Sequence, residues 1–186
     1  MQAIFMGLFA AIVVLADQLS KWWVVHNIRP IGPIDRFAEY VEQLSRGYGI
    51  SWQEMYVLPN HKDVLPGIVQ LSHTGNDGAA FSSFQGMQWL FAGIFVVFTV
   101  LVIWEYCKKA MPFTTFERFC IVAVFAGGLG NMIDRLRLGY VVDMIATEFI
   151  DFPVFNVADM FITCGCILLM LHLVFFNKEF WKDEKK

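Results

Sequence analysis

Charge is the scarcest property of this chain. Asp, Glu, Lys and Arg make up 17% of its 186 residues, against about 25% in an average soluble domain, so its surface is under-supplied for water. Basic residues are in slight deficit, giving a formal net charge of -3, which argues against nucleic acid as a partner because that would need a basic patch. Low charge together with 57% hydrophobic residues excludes intrinsic disorder. Cysteines are few, and Cys107, Cys120, Cys164 and Cys166 all sit in or beside apolar runs. They read as small packing residues, since none lies in the long polar stretch where an oxidising compartment would make disulfides. Cys164 and Cys166 are two apart on a predicted helix and do not share a face, so they form no metal pair. The four histidines (His26, His61, His73, His172) are scattered. No His-Glu-x-x-His pair and no Gly-x-Ser-x-Gly elbow occurs, so metal and serine peptidase chemistry find no support and no cofactor is called for. Internal repeats and low-complexity segments are absent.

What is present is apolar sequence in runs. Residues 3–16 carry no charge, and apolar character resumes at Trp22-Trp23-Val24-Val25 after Asp17 and Lys21. Residues 81–104 are again uncharged, and 119–133 and 160–176 form the third and fourth runs. A spanning helix needs about 20 mostly apolar residues. Four spans follow, at about 3–25, 87–106, 116–134 and 157–176, in one integral membrane domain covering 1–186. The first run lacks a basic leader and a small-residue cleavage site, so it reads as a retained helix rather than a cleaved signal peptide.

Lys and Arg set the expected orientation. The connection 107–118 and the tail 177–186 are basic and abut spans, whereas acidic residues outnumber Arg135 and Arg137 in 134–159. The positive-inside rule then places both termini in the cytoplasm, with 26–86 and 134–158 facing outward. Trp22, Trp23, Trp89, Trp104 and Trp181 fall at span ends, as an interfacial aromatic belt does. Within the outer segment, 28–66 is polar and proline-bearing, with a short helix expected at 36–47. Residues 67–74 alternate as a half-buried strand does, and 75–78 (Gly-Asn-Asp-Gly) read as a tight turn.

Ionisable groups at membrane depth are costly and point to function. Here they gather at the outer ends of the spans: Asp17 and Lys21, then Asn131, Asp134 and Arg135, then Asp143, then Asn156 and Asp159, with Asn76 joining from the strand and turn. Headgroup anchoring explains any one of them, but the asymmetry of the whole set favours a site. Asp17 and Lys21, four apart on a helix, face each other as a structural pair. Asp134, beside Arg135 and three residues after Asn131, suits a hydrogen-bonded corner. Asp143 and Asp159 have no Lys, Arg or His within four positions. Two such carboxylates at one depth can share a proton and take opposed roles, the arrangement of an aspartic protease. Whether the two meet is left open by the sequence.

Four stretches, in order, carry a resemblance. They are Asp17-Gln18-Leu19-Ser20-Lys21; Asn76-Asp77-Gly78-Ala79-Ala80-Phe81-Ser82; Gly127 to Arg135 continuing to Gly139-Tyr140-Val141-Val142-Asp143; and Phe155-Asn156-Val157-Ala158-Asp159. Together they resemble the motifs of the lipoprotein signal peptidases (signal peptidase II), bacterial membrane aspartyl proteases. The resemblance implies an all-α membrane protein of four transmembrane helices with a small extracytoplasmic β cradle and loop. It implies Asp143 and Asp159 as the catalytic dyad, with Asn76, Gly78, Asn131, Arg135 and Asn156 contacting or supporting substrate. Asp17, Lys21 and Asp134 would shape the site. It further implies a monomer in the bacterial cytoplasmic membrane that takes diacylated prolipoproteins among the membrane lipids and cleaves before the lipidated cysteine near the outer face. The chain departs from the family in a longer 28–66 insertion, in Met144 after Asp143, and in Asp77, to which no role is assigned.

The reading from another class is a small proton- or ion-coupled membrane carrier. Its acids would sit toward the midplane on broken or repeated helices. A non-enzymatic membrane subunit with interfacial charges is a further one.

Overall fold

The structure is a computed structural model and describes residues 2–28, 62–76, 78 and 87–180. The expected 36–47 helix, most of the 28–66 insertion, Asp77, Trp52 and Trp181 lie outside the described residues. Four helices and three strands follow in the order α1 (Gln2–Asn27), β1 (Lys62–Leu65), β2 (Val69–Asn76), α2 (Gln88–Lys108), α3 (Thr115–Leu138), β3 (Val141–Thr147) and α4 (Val157–Phe175). Each of the four helices is long and apolar enough to cross a membrane. The third runs past its expected end at 134, because Arg135 and Arg137 occupy its last turn, where a helix's negative pole suits cations. Gly139, at φ 84°, then ends it in the left-handed conformation that glycine adopts without strain.

By its contacts the chain divides into two compact units. One holds Met1–Asp17, Met87–Ile133 and Val157–Lys186; the other holds Gln18–Gly86 and Asp134–Asn156.

The first unit is helical. Helices in lipid gain little from burying apolar surface and depend on close packing instead. A Cβ on Gly127 would lie 2.5 Å from the Ala158 carbonyl oxygen and 2.8 Å from Ile162 Cγ1, so the α3 backbone here touches α4 directly. Gly165 on α4 meets Val124 and the Cys120 carbonyl in the same way. Phe9 packs edge-on against Phe119 and Phe161, and Phe95 stacks on Phe125 at 5.7 Å. The outer faces of α2 and α4 remain apolar and exposed, including Ile94, Val97, Leu101, Leu168 and Leu171. The cysteines separate accordingly. Cys120 is buried in the α3–α4 contact, but Cys107, Cys164 and Cys166 are exposed, which corrects the expectation that all four pack. On α4 the buried stripe is narrow, Ala158 and Gly165, and Cys164 and Cys166 flank it.

Helix α3 begins with a capping box. Thr114 N donates to Glu117 Oε2 at 2.6 Å, and Glu117 N donates back to Thr114 Oγ1 at 3.3 Å. Glu117 is fully buried and also accepts from Asn177 Nδ2 at 2.7 Å, while His172 Nδ1 lies 2.9 Å from its Oε1. The start of α3 is thereby tied to the end of α4.

The second unit is built on an antiparallel sheet in the order β1-β2-β3. Pro66 and Gly67 fill the β1–β2 turn, with Gly67 at φ 76° and Ile68 N bonded to Leu65 O at 2.9 Å, the residues a type II turn requires. Two strands were not expected from sequence: β1, and β3 within what read as a connection. Phe155 extends the sheet beyond β3, exchanging backbone bonds with Ile145 at 2.7 and 3.0 Å. The C-terminal end of α1 packs on this sheet through Val24, Ile28, Val142 and Met144, with Trp23, Leu71, Tyr140 and Ile145 around them. Burying a side chain of that size contributes about 1.5–3 kcal/mol. His73 on β2 is buried, with Nδ1 3.1 Å from the Ile28 carbonyl. Burial pulls its pKa below the ordinary 6.5, with the Ile28 bond opposing more weakly. Burial likewise raises the Tyr140 phenol, assisted by the charge of Asp134.

Gly127→Ala is expected to lower the thermal midpoint in detergent, at about 1–3 kcal/mol of overpacking. Gly93→Ala, where a Cβ meets nothing within 4 Å, should leave that midpoint in place. Acidification supplies another check. Unfolded His73 binds a proton near pH 6.5 while the folded residue resists it, so the stability tied to its neutrality is present above that pH and lost as pH falls below it. His73→Asn should flatten the fall in melting temperature between pH 7 and pH 5; an unchanged slope would remove His73 as its source.

Candidate active site

The two aspartates without a nearby basic residue in sequence fall in different units, and each is held by an asparagine. In the sheet unit, β3 carries Asp143, which is 2% exposed. Asn76 at the end of β2 donates its amide to Asp143 Oδ2 at 2.9 Å, and Asn156 donates to Oδ1 at 2.6 Å. The geometry follows from the strands. The β2–β3 register pairs Asn76 with Val141, which sets Asn76 diagonally across from Asp143 on one face. The Phe155 pairing with Ile145 brings Asn156 alongside from the other edge. Each carboxylate oxygen therefore receives an N–H donor from a different segment, and the carboxylate is clamped in one orientation.

Next to it, at the end of α3, Asp134 collects three donors. Lys21 Nζ lies 2.9 Å from its Oδ2, Gln18 Nε2 donates to Oδ1 at 2.9 Å, and Val142 N donates to Oδ2 at 3.2 Å. Lys21 and Asp134 are each 3% exposed. Removing one partner of so buried a pair typically costs about 3–5 kcal/mol. Helical spacing aimed Lys21 at Asp17, and the structure adds Asp134 as an ion-pair partner of Lys21. Gln18 was not expected as a site residue, although its i, i+3 spacing to Lys21 places both on one face of α1. Arg135 reaches the second motif, and its Nη2 donates to the Gly78 carbonyl at 3.1 Å. Gly78 N in turn donates to Asn76 Oδ1 at 3.0 Å. Arg135, Gly78, Asn76 and Asp143 thus form one hydrogen-bonded chain, and the turn expected at 75–78 is held by the side chain of Asn76.

In the helical unit Asp159 occupies the first turn of α4 and is half-buried. Asn131 on α3 donates to its Oδ1 at 2.7 Å. The first N–H groups of a helix have no partner within it and suit an anionic acceptor. Asp17 on α1 supplies one, its Oδ1 accepting from Ala158 N at 2.9 Å. Gly130 leaves the room for this, since a Cβ there would sit 2.5 Å from Asp17 Oδ2. Asn156, just before α4, donates its Nδ2 to Asp143. Among the described residues no group of three or more His, Cys, Asp or Glu could hold a metal ion. The chemistry available is that of carboxylates steadied by amide donors: accepting, holding or giving a proton.

Comparison with known proteins bears on that chemistry. A family model described as Signal peptidase (SPase) II matches residues 9–175. A lipoprotein signal peptidase of Streptococcus agalactiae serotype Ia is 36% identical over 184 residues, covering 99% of this chain and 96% of that protein. One from Streptococcus pyogenes serotype M1 is 38% identical over 176 residues, covering 93% and 90%. Two solved structures, each described as a bacterial membrane enzyme, share the fold. One has a TM-score of 0.73 at 27% identity, covering 98% of this chain and 93% of the other. The second has a TM-score of 0.69 at 28% identity, covering 93% and 94%. The matched span includes every buried carboxylate and amide donor just described, and on that extent the chain belongs to the signal peptidase II family.

Proposed function

We propose that the protein is a membrane aspartic endopeptidase that removes the signal peptide from diacylglyceryl-modified prolipoproteins, cleaving before the lipidated cysteine, with Asp143 and Asp159 as its catalytic dyad. The observation that carries the dyad is the pair of asparagine-held carboxylates, Asp143 with Asn76 and Asn156, and Asp159 with Asn131. Family membership supports the reaction class.

In the reaction one aspartate, ionised, takes a proton from a water that attacks the scissile carbonyl. The other, protonated, gives its proton to the carbonyl oxygen, and a tetrahedral diol forms. Collapse of the diol returns a proton to the departing amine, breaks the C–N bond and restores the shared proton. No covalent enzyme intermediate arises. Two carboxylates on one water cannot both be ionised cheaply, which is why a single proton serves the pair. Asn76, Asn131 and Asn156 keep the oxygens in place through both steps. Arg135 and Gly78 hold the second motif beside Asp143, while Asp17, Lys21 and Asp134 fix the helix ends that carry the site. The working protein is a monomer in the bacterial cytoplasmic membrane, with cytoplasmic termini and the site at the outer face. There a diacyl anchor stays among the lipids while water reaches the peptide bond.

Purified protein in detergent with a lipidated precursor provides the test. Asp143→Asn and Asp159→Asn should each reduce cleavage by about 10²–10⁴-fold, and substantial turnover by either variant would end the dyad assignment. Asp143→Asn also turns an NH2 toward one of two asparagine amides, an added loss of about 1–3 kcal/mol, so its melting should be followed alongside. Cleavage of the unlipidated precursor alone would count against the substrate class.

Asp17 is expected to behave otherwise. Asp17→Asn keeps an oxygen for Ala158 N and should retain measurable turnover. Asp17→Ala strands that N–H and should lower the melting temperature, by about 0.5–2 kcal/mol as for a lost helix cap. Activity abolished by Asp17→Asn as fully as by the dyad variants would contradict the structural role.

A further inference from the structure

The β2–β3 register pairs Thr74 with Asp143. Residues directly opposite on antiparallel strands lie on the same face with Cβ atoms about 4.5–5.5 Å apart. Thr74 is therefore the cross-strand neighbour of this carboxylate, and Asn76, two residues on along β2, is the diagonal one that already bonds it at 2.9 Å. The register slips between Leu71 and Thr74, a bulge of the kind that re-aims side chains next to functional sites. Thr74 is 7% exposed, and its hydroxyl is buried with no hydrogen-bond partner among the described residues.

An unpartnered buried hydroxyl is a loss that valine would avoid. Valine has nearly the shape of threonine and suits a strand at least as well, and β3 itself uses it at Val141 and Val142. A hydroxyl kept beside a carboxylate at such a position is accounted for by a partner it takes up in the working state. A carboxylate offers about four lone-pair sites, and an oxygen of Asp143 can accept from more than one donor at once.

We propose that Thr74 is a positioning residue for Asp143: with substrate in place its hydroxyl turns to donate a hydrogen bond to the Asp143 carboxylate from across the strand pair. The inference rests on the proposed role of Asp143 in catalysis. Thr74 acts through that carboxylate, holding it while the neighbouring groups exchange protons, and the hydroxyl itself gives up no proton.

The test compares Thr74→Val, Thr74→Ser and Asp143→Asn in the full-length protein, with a diacylglyceryl-modified precursor in detergent. Thr74→Val should lower kcat about ten- to a hundredfold, the effect of one hydrogen bond to a charged group, with KM little changed. Its melting temperature should be unchanged or raised, since the hydroxyl it removes has no partner among the described residues. Thr74→Ser should restore most of kcat. Should the valine variant not fold, Thr74→Ala makes the same comparison against serine. Wild-type kcat in Thr74→Val alongside an inactive Asp143→Asn would overturn the inference and leave the dyad standing. Equal losses in the valine and serine variants would assign Thr74 to packing and also overturn it. An active Asp143→Asn would remove the dyad, and this inference with it.

Discussion

A carboxylate taken out of water must find donors, and in this protein those donors come from distant parts of the chain. Asp134 at the end of α3 is met by Gln18 and Lys21 of α1 and by the backbone of β3. Asp17 of α1 accepts from the first turn of α4, and Glu117 at the start of α3 is met from the end of α4. Burying such a charge alone is costly enough that it would neutralise or the segment would not stay buried. Each contact is therefore a condition on where the neighbouring segment lies. In a bilayer, where burial of apolar side chains gives helices little reason to associate, these bonds fix register as well as proximity. The groups that hold the fold and the groups proposed to do chemistry belong to one set of carboxylate–donor contacts.

Helix α3 shows how one segment serves both ends. Among its buried residues Glu117, Cys120, Ala123, Gly127, Gly130 and Asp134 recur at spacings of three and four, a stripe along a helix, with Asn131 beside it. From its start toward Leu138 the stripe passes from a capping carboxylate through small residues to an amide and a second carboxylate. The small residues are what lets the polar ones work. Gly127 brings the α3 backbone against Ala158, one residue before Asp159, and Gly130 leaves space for the Asp17 carboxylate that caps that same turn. A larger side chain at either position would displace the first turn of α4, and Asp159 with it.

Much of this was legible in the sequence, and what was missed has a consistent cause. Apolar runs located all four spans because a bilayer imposes a length that composition alone reveals. The alternation over 67–74 revealed β2, half-buried as such a pattern requires. β3 was hidden, since Val141–Thr147 is buried on nearly every position and shows no alternation. β1 is short and wholly exposed and carries no pattern either. Spacing along a helix named Asp17 as the neighbour of Lys21, but it could not name Asp134, 113 positions away, with which Lys21 forms an ion pair. Local spacing reports only neighbours on the same helix. The site's donors come from strand register and helix contacts that no short window contains. Thr74, proposed as a further donor, is the sharpest case, because nothing marks it until β2 and β3 are paired.

The two aspartates of the proposed dyad also sit on different kinds of element, and that difference suits a pair with opposed tasks. A strand holds Asp143 deep in the sheet unit, with an amide donor on each oxygen and almost no exposure. A helix start holds Asp159, half-buried in a first turn whose Ala158 N–H is occupied by Asp17 and whose side chain is steadied from α3 by Asn131. Two carboxylates in identical surroundings would compete for one proton on equal terms. Unlike surroundings break the tie, and separating acid from base by environment is how one residue type fills both roles. In the proposed dyad, mounting one on a strand and the other on a helix end gives each carboxylate surroundings of its own. It also explains why the asparagines matter: with chemically identical acids, the donors around each are what distinguish them.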